Sequence, residues 1–516
     1  MVFTLRGLVE ERRRERPDDV VVTEDGTDTT WRELHDRSVR IAAALVRDGV
    51  PPGGRVAHLG KNSSAWFPYL FGCALAGGVA APLNWRLAPR ELAEIIDDSG
   101  AEVVFVDPGM HRTADLVEEA LGRRLTVVFL GGDHDGRPGL TSWWGPAEDP
   151  AVEPPDDVAL ELCTSGTTGR PKGVLFAGRT NLRVLIRDIA PRWGLTDGEV
   201  SLLAMPLFHM GGVAWALAGL AAGARGVVVR DFDAAAVLDT MERERVTTAF
   251  CVPTMLASLV TEARSTPRDL ALRRMTYSGA PISTTALVAG MRTFGCDFVG
   301  IYGLTEATGA FAQLPPEDHD PEGSRSHLLR SAGKPYPWVE VAVVSPTDGH
   351  TCTVGEIGEI LTRSEQNTVG YRTRAGVTSA LDADGWLHTG DLGHLDADGR
   401  IFLVDRAKDL VISGGENVYP AEVENELAAH PDVAEVAVIG VPDPRWGETV
   451  KAIVVPRPGT RPDPAALIAF ARTRLAAFKC PTSVDVVDRL PRTATGKVIK
   501  GELREPYWRG HDRLVH

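Results

Sequence analysis

The strongest constraint on the fold is a hydrophobic period that switches repeatedly along the chain. Short β-branched runs include Glu102–Val106, Leu125–Leu130, Gly226–Val229 and Val246–Cys251. They alternate with stretches such as Trp31–Val46 and Pro89–Asp97, where apolar residues recur at three- and four-residue intervals. Strand and helix patterns in alternation predict α/β layers built on mostly parallel sheets. Past the middle of the chain the texture changes. Val339–Val344, Gly358–Thr362 and Ile401–Val404 read as strands separated by the turn signals DGH, ADG and DADG, which predicts a β-rich subdomain. The C-terminal stretch reads strand, helix (Ala421–His430), strand (Val433–Ile439), strand (Thr449–Val455), helix (Pro464–Ala477), then a short strand and tail. That is a further compact α+β unit, and the charged segment Asp405–Asp409 (DRAKD) is the linker candidate. At roughly 100–200 residues per domain, a chain of this length holds two to four domains or subdomains.

Composition removes several function classes. Asp and Glu outnumber Lys and Arg by 70 to 55, giving a formal charge of −15. A nucleic-acid partner would ask for a basic excess or stripe, and an anionic membrane surface would repel this chain. Arg is the default cation, 47 against 8 Lys, so each lysine is worth inspecting. The six cysteines (73, 163, 251, 296, 352 and 480) contain no CxxC, and no Cys/His cluster has zinc spacing. They read as reduced, mostly buried thiols of a cytoplasmic protein. The N-terminus lacks the apolar core of a signal peptide. Leu70–Leu83 and Gly212–Ala224 are too short and too rich in Gly and Ala to span a membrane.

The sharpest local signal is Thr164–Gly173 (TSGTTGRPKG), which follows the apolar strand Val158–Cys163. It combines three glycines, four hydroxyls and one lysine. Glycine opens backbone turns that let amides converge on an anion, and hydroxyls and Lys172 add donors. The spacing is not a Walker P-loop, because Lys172 is followed by Gly173.

Taken with the rest of the chain, this loop resembles the phosphate loop of the adenylate-forming superfamily, which contains acyl-CoA synthetases, luciferases and peptide-synthetase adenylation domains. Five further motifs fall in that family's order: Pro206–Gly212 (PLFHMGG), Tyr302–Glu306 (YGLTE), Trp386–Leu392 (WLHTGDL), Asp405–Glu424 (DRAKDLVISGGENVYPAEVE) and Pro491–Lys497 (PRTATGK). The chain looks most like the fatty-acyl and aryl-CoA synthetase branch. The resemblance implies two steps. A carboxylate attacks the α-phosphate of ATP to give acyl-AMP and pyrophosphate, and a thiol, usually coenzyme A, then displaces AMP. It also implies a large AMP- and acid-binding region over residues 1–405 and a mobile C-terminal domain over 406–516. The protein is expected to be a monomer or homodimer that acts on a small carboxylic acid.

The resemblance assigns roles residue by residue. Thr164, Ser165, Gly166, Thr167, Thr168, Gly169 and Lys172 would hold the β- and γ-phosphates. Thr305 would donate to the α-phosphate, and Glu306 would ligate Mg²⁺, a cation that suits hard oxygen ligands. Tyr302 and Gly303 would flank the adenine, with Gly279, Ala280 and Pro281 on the opposite wall. Asp391 would accept both ribose hydroxyls, and Arg406 would approach the ribose from the hinge side. Lys497 would reach the reacting carboxylate and α-phosphate, offsetting the repulsion of two anions. Lys408 would be the hinge, and Gly414 and Gly415 would let pantetheine approach closely.

His209 would stand at the mouth of the acid pocket. Amino-acid-activating relatives usually place an Asp there to hold an ammonium group, so an α-amino acid is disfavoured. Trp215 and Ile301, with Gly279 and Gly303, would line the acid pocket. The two bulky residues predict a short or planar pocket for an aryl or small branched acid; the other reading of Trp215 is packing within its helix. Trp446 and Lys479 would face CoA. The segment Phe478–Ser483 (FKCPTS) lacks the extra basic residues that relatives use against CoA phosphates. That keeps other acceptors open, namely a carrier-protein thiol, an amine, or the nitrite-activating diazotase type. A nucleotide-binding relative without activity is the remaining alternative, disfavoured because Lys172, Thr305, Glu306, Asp391, Arg406 and Lys497 are all present.

Overall fold

The computed structural model describes residues 4–146, 148, 150, 152, 157–165, 171–374, 376–406, 409–413, 416–493 and 496–509. Two compact units result. One comprises Met1–Gly279, Thr285–Pro321 and Arg363–Leu387, the other Ala280–Thr284, Glu322–Thr362 and His388–His516.

The first unit holds two twisted sheets with parallel centres and antiparallel margins. In one, the parallel strands run in the order Asp297–Tyr302, Arg274–Tyr277, Thr248–Cys251, Val200–Leu203, Arg225–Val228 and Val20–Glu24. Ala312–Leu314 and Thr27–Thr30 flank them antiparallel. In the other, Val158–Ser165, Val79–Leu83, Arg55–Leu59, Val103–Val106 and Thr126–Phe129 are parallel. Pro171–Ala177, Gly370–Thr373 and Gly376–Thr378 extend that sheet antiparallel. The expected mostly parallel α/β architecture is therefore present. The parallel strands are short and apolar because helices cover both faces of the sheet.

Local chemistry sets the helix limits. Trp31–Arg47 starts in a reciprocal capping box: Glu33 N donates to Thr30 Oγ1, and Thr30 N donates to Glu33 Oε2. Its apolar stripe packs on Trp66–Leu75, where a Cβ at Gly72 would lie 2.5 Å from Ile41 Cγ2. The apolar run Leu70–Leu83 divides at Gly77, whose φ of +69° lets the helix end and the Val79–Leu83 strand begin.

The second unit carries a four-stranded sheet in the order Glu340–Val344, Gly358–Arg363, Leu387–Leu395, Ile401–Arg406, the last two antiparallel, which is the β-rich part expected from the turn signals. Its other sheet pairs Val433–Asp443 with Gly447–Pro456 and adds Ser483–Val486 parallel to the latter. Val423, Leu427, Val438, Val450 and Leu467 pack one face, while Ile439 and Ile453 meet Leu503 and Tyr507 on the other. The helix expected to reach Ala477 stops at Arg472. Thr473 Oγ1 donates to the Phe470 carbonyl at 2.8 Å, a side-chain bond that competes with helix propagation.

Candidate active site

In the first unit, the parallel strands order one edge of the sheet. The His209 turn, Gly279 and Tyr302–Gly303 all follow the carboxyl ends of neighbouring strands, where open α/β sheets bind ligands. Gly279 has φ +90°, a conformation that favours glycine. Ala280 and Pro281 continue the chain into the second unit. Tyr302 is buried and meets Phe311 edge-on, centroids 4.8 Å apart. Gly303 is fixed by closeness: a Cβ there would stand 2.5 Å from Ala310 Cα. His209 caps the Met210–Ala222 helix, its Nδ1 accepting from Gly211 N at 3.3 Å. A Cβ at Gly309 would be 3.2 Å from Met210 Cγ, so the PLFHM and YGLTE segments are neighbours.

The Thr164–Gly173 motif begins on a strand. Thr164 lies opposite Lys172 in the antiparallel pair of Val158–Ser165 and Pro171–Ala177. Gly166, Thr167, Thr168 and Gly169 lie outside the described residues, as does the side chain of Ser165. Lys172 Nζ sits 5.1 Å from the ring centroid of Tyr371, and the Tyr371 hydroxyl donates to Glu306 Oε1 at 3.1 Å. Burial, and then the Glu306 carboxylate, raise the Tyr371 pKa well above the ordinary phenol value, so it remains a donor. The structure thus joins Lys172 and Glu306 through a tyrosine. A half-buried carboxylate beside a fixed lysine is a donor set that fits a hard divalent cation accompanying a polyphosphate.

Trp215 is buried at 1 % exposure between Trp193 and Phe250, with centroid separations of 5.9 and 5.6 Å. Its Nε1 is a buried donor with no hydrogen-bond partner among the described residues. Ile301 is likewise buried and pairs with Gln313 across the strand margin.

In the second unit, Asp391 is buried at 7 % exposure and paired in register with Arg406, whose side chain lies outside the described atoms. Gly390, at φ +69°, donates its N–H to Glu359 Oε1 at 3.0 Å, and Thr389 Oγ1 donates to the Ile360 carbonyl at 2.6 Å. The aspartate is therefore held on a rigid strand. Lys497 closes a small loop: its N–H donates to Thr493 Oγ1 at 3.1 Å, and its carbonyl accepts from Thr493 N at 2.7 Å. Gly496, φ +81°, makes that turn possible.

Lys408, Gly414 and Gly415 lie outside the described residues. The chain is nevertheless anchored on both sides of Lys408. Asp405 Oδ2 accepts from Ala421 N at 2.8 Å, and Asp409 pairs with Arg504 at 2.8 Å. Trp446 is 45 % exposed, with the Arg445 guanidinium 4.4 Å from its ring centroid. Lys479 is ion-paired with Glu422 at 2.7 Å, and nearby Lys451 with Asp485 at 2.8 Å.

Residues 9–372 match the family described as AMP-binding enzyme, and residues 422–497 match the AMP-binding enzyme C-terminal domain. The chain belongs to the AMP-binding enzyme family. Feruloyl-CoA synthase of an Amycolatopsis species is 41% identical over 507 residues, which cover 96% of this chain and 97% of that protein. Fatty acid–[acyl-carrier-protein] ligase ScoC of Streptomyces coeruleorubidus is 39% identical over 502 residues, 95% of this chain and 94% of that one. The crystal structure of ATP-bound MatB from Rhodopseudomonas palustris aligns with a TM-score of 0.87 at 31% identity, covering 99% of this chain and 100% of that one.

Within this AMP-binding enzyme, sequence reasoning missed a polar clamp behind the YGLTE turn. Gln366, fully buried, donates to the carbonyls of Ala307 (2.8 Å) and Ala310 (2.7 Å). Its own carbonyl accepts from Asn181 Nδ2 at 2.9 Å and from the hydroxyl of Thr308, a residue at φ +56°. Thr368 N donates to the Glu306 carbonyl at 2.6 Å, and its hydroxyl donates to the Leu175 carbonyl at 2.6 Å. The clamp bolts the Glu306 turn to the strand carrying Lys172. The only trace in the sequence is a polar stretch, SEQNTVGYR, that reads as an ordinary loop. Gln366→Leu leaves two buried carbonyls without donors, at about 1–3 kcal/mol each. A loss of about 2–4 kcal/mol in urea unfolding, with a raised KM for ATP, is the expected outcome. Unchanged stability would remove the clamp from the account.

Proposed function

We propose that this chain is an AMP-forming acid–thiol ligase acting in the cytoplasm on an aryl or small branched acid. A carboxylate oxygen bonds to the α-phosphorus of ATP and pyrophosphate leaves. The thiol sulfur then bonds to the acyl carbon, its proton passes to solvent, and AMP leaves. The observation that carries the reading is the coupling of Lys172 to Glu306 through Tyr371, beside a sheet edge that also holds Tyr302 and the His209 turn. Lys172 and the hydroxyls of its motif bind the distal phosphates, and Thr305 binds the α-phosphate. Glu306 holds Mg²⁺, which when bound neutralises phosphate charge. Asp391 and Arg406 hold the ribose. Residues 406–516, hinged at Lys408, bring Lys497 for the first step and Gly414–Gly415 for the second.

The aromatic trio of Trp193, Trp215 and Phe250 beside the His209 turn supports a planar acid. Two relatives point the same way by their names: one is a feruloyl-CoA synthase and another an indoleacetate–CoA ligase. Coenzyme A is the acceptor under this reading. One observation favours a second acceptor, a carrier-protein thiol. Lys479 and Lys451 are both neutralised by carboxylates, so neither ammonium is spare for CoA phosphates, and one relative is an acyl-carrier-protein ligase.

A panel of aryl, branched and straight-chain acids, assayed for pyrophosphate–ATP exchange and then with CoA or a pantetheinylated carrier protein, tests both points. Best exchange on acids of twelve or more carbons would overturn the planar pocket. AMP release at least tenfold faster with carrier protein than with CoA would replace CoA as acceptor.

A further inference from the structure

The connection between the Glu340–Val344 and Gly358–Arg363 strands gathers ligating side chains that the proposed reaction does not use. The chain reverses over Ser345–His350, where Ser345 N donates to the His350 carbonyl at 2.9 Å and Gly349 has φ +75°. It turns again at Thr353–Glu356, where Glu356 N donates to the Thr353 carbonyl at 3.0 Å and Gly355 has φ +82°. The two turns bring one ligand atom each from His350, Cys352 and Glu356 to within 4.8 Å of one another. We propose that His350, Cys352 and Glu356 bind a zinc ion through an imidazole nitrogen, a thiolate and a carboxylate oxygen, with solvent as the fourth ligand.

The side chains are already oriented for this. Asp348 Oδ1 lies 2.7 Å from His350 Nδ1, and His350 Nε2 lies 2.8 Å from Glu356 Oε1. A carboxylate that holds Nδ1–H leaves Nε2 as the ligating atom, the usual outer-shell arrangement of a metal-bound histidine. Glu356 Oε2 accepts from Thr353 N at 2.9 Å and from its hydroxyl at 3.1 Å, so Oε1 is the oxygen left facing the imidazole. The sulfur of Cys352 lies against Gly358, where a Cβ would approach it to 2.7 Å, so the glycine makes room for the thiol. The ligands of tetrahedral zinc stand about 3.3–3.8 Å apart. His350 and Glu356 are 49% and 39% exposed and can close the remaining gap by small rotations.

The donor set decides which cation fits. Thiolate with imidazole and carboxylate suits zinc, whereas magnesium prefers oxygen ligands alone. The charge is also in place, because the imidazole stands between two carboxylates. Asp348 Oδ1 and Glu356 Oε1, at 2.7 and 2.8 Å from its two nitrogens, supply the negative charge that favours a cation at this point. Zinc replaces the proton on Nε2 and the proton on Sγ. Up to two protons pass to solvent for each ion bound, with no change of oxidation state.

The test uses the full chain, stripped with a chelator and kept reduced. Zn²⁺ is titrated in competition with a chromophoric chelator, and Co²⁺ serves as the spectroscopic probe. We expect one ion per chain, proton release on binding, and a thiolate-to-cobalt charge-transfer absorption that Zn²⁺ abolishes. Cys352→Ser should remove the absorption, and both it and His350→Ala should weaken Zn²⁺ binding at least tenfold. Asp348→Asn should weaken it about 10–100-fold. Cys296→Ser, outside the cluster, should change neither readout, and circular dichroism checks that each variant folds. Unchanged Zn²⁺ affinity in both His350→Ala and Cys352→Ser would overturn the proposal. So would a cobalt complex without thiolate absorption, or an absorption lost in Cys296→Ser instead.

Discussion

Lys497→Ala is expected to slow acyl-AMP formation about 10²–10³-fold, the usual loss for one preorganised electrostatic donor. Transfer of the acyl group from preformed acyl-AMP to the thiol should proceed near the parent rate. The asymmetry follows from the charges. Adenylation brings a carboxylate and a phosphate anion together, and a cation on the reacting oxygens offsets that repulsion only in this step. The loop that carries Lys497 is closed by the Thr493 bonds and by Gly496, all independent of the side-chain charge, so truncation should leave the backbone in place. Pyrophosphate exchange and single-turnover thioesterification, measured on the same preparation, separate the two steps. Equal losses in both would remove Lys497 from the first step, and near-normal exchange would return it to solvent.

Asp391→Ala is expected to weaken ATP binding and impair both half-reactions, because the ribose is held throughout. Loss of a charged hydrogen-bonding partner costs about 1.5–3 kcal/mol, or about 10–150-fold in affinity. Asp391 suits the task because it is nearly buried on a paired strand, with its backbone N–H bonded to Thr389 Oγ1 at 3.1 Å. A fixed carboxylate spends little conformational freedom on binding two hydroxyls. Calorimetry with ATP and with a 2′,3′-dideoxy analogue provides the check. ATP should lose most of its advantage over the analogue in the variant, and an unchanged ATP affinity would contradict the ribose assignment.

Much of this protein was legible in the sequence because the relevant demands are local. The strand that opens Thr164–Gly173 is legible as an apolar run, and the glycines, hydroxyls and Lys172 within ten adjacent residues are the basis for proposing an anion loop there. The switching hydrophobic period likewise announced parallel α/β layers, because helices and two-sided strands impose different spacings on neighbouring residues. The capping box at Thr30 and Glu33 is encoded within four positions. The tertiary structure decided what depends on distant segments. Tyr371 reaches Glu306 across 65 residues, and Asn181 meets Gln366 across 185. Neither pairing has a periodicity to betray it. By sequence Trp215 could line an acid pocket or pack within its helix, and only the fold shows Trp193 and Phe250 against it. The His350, Cys352 and Glu356 cluster escaped a search for zinc spacing because one ligand is a carboxylate and two successive turns bring the three together. Local propensity writes elements and loops into adjacent residues, whereas long-range partners are selected by packing and by the need to satisfy buried polar groups, which becomes definite only when the chain has folded.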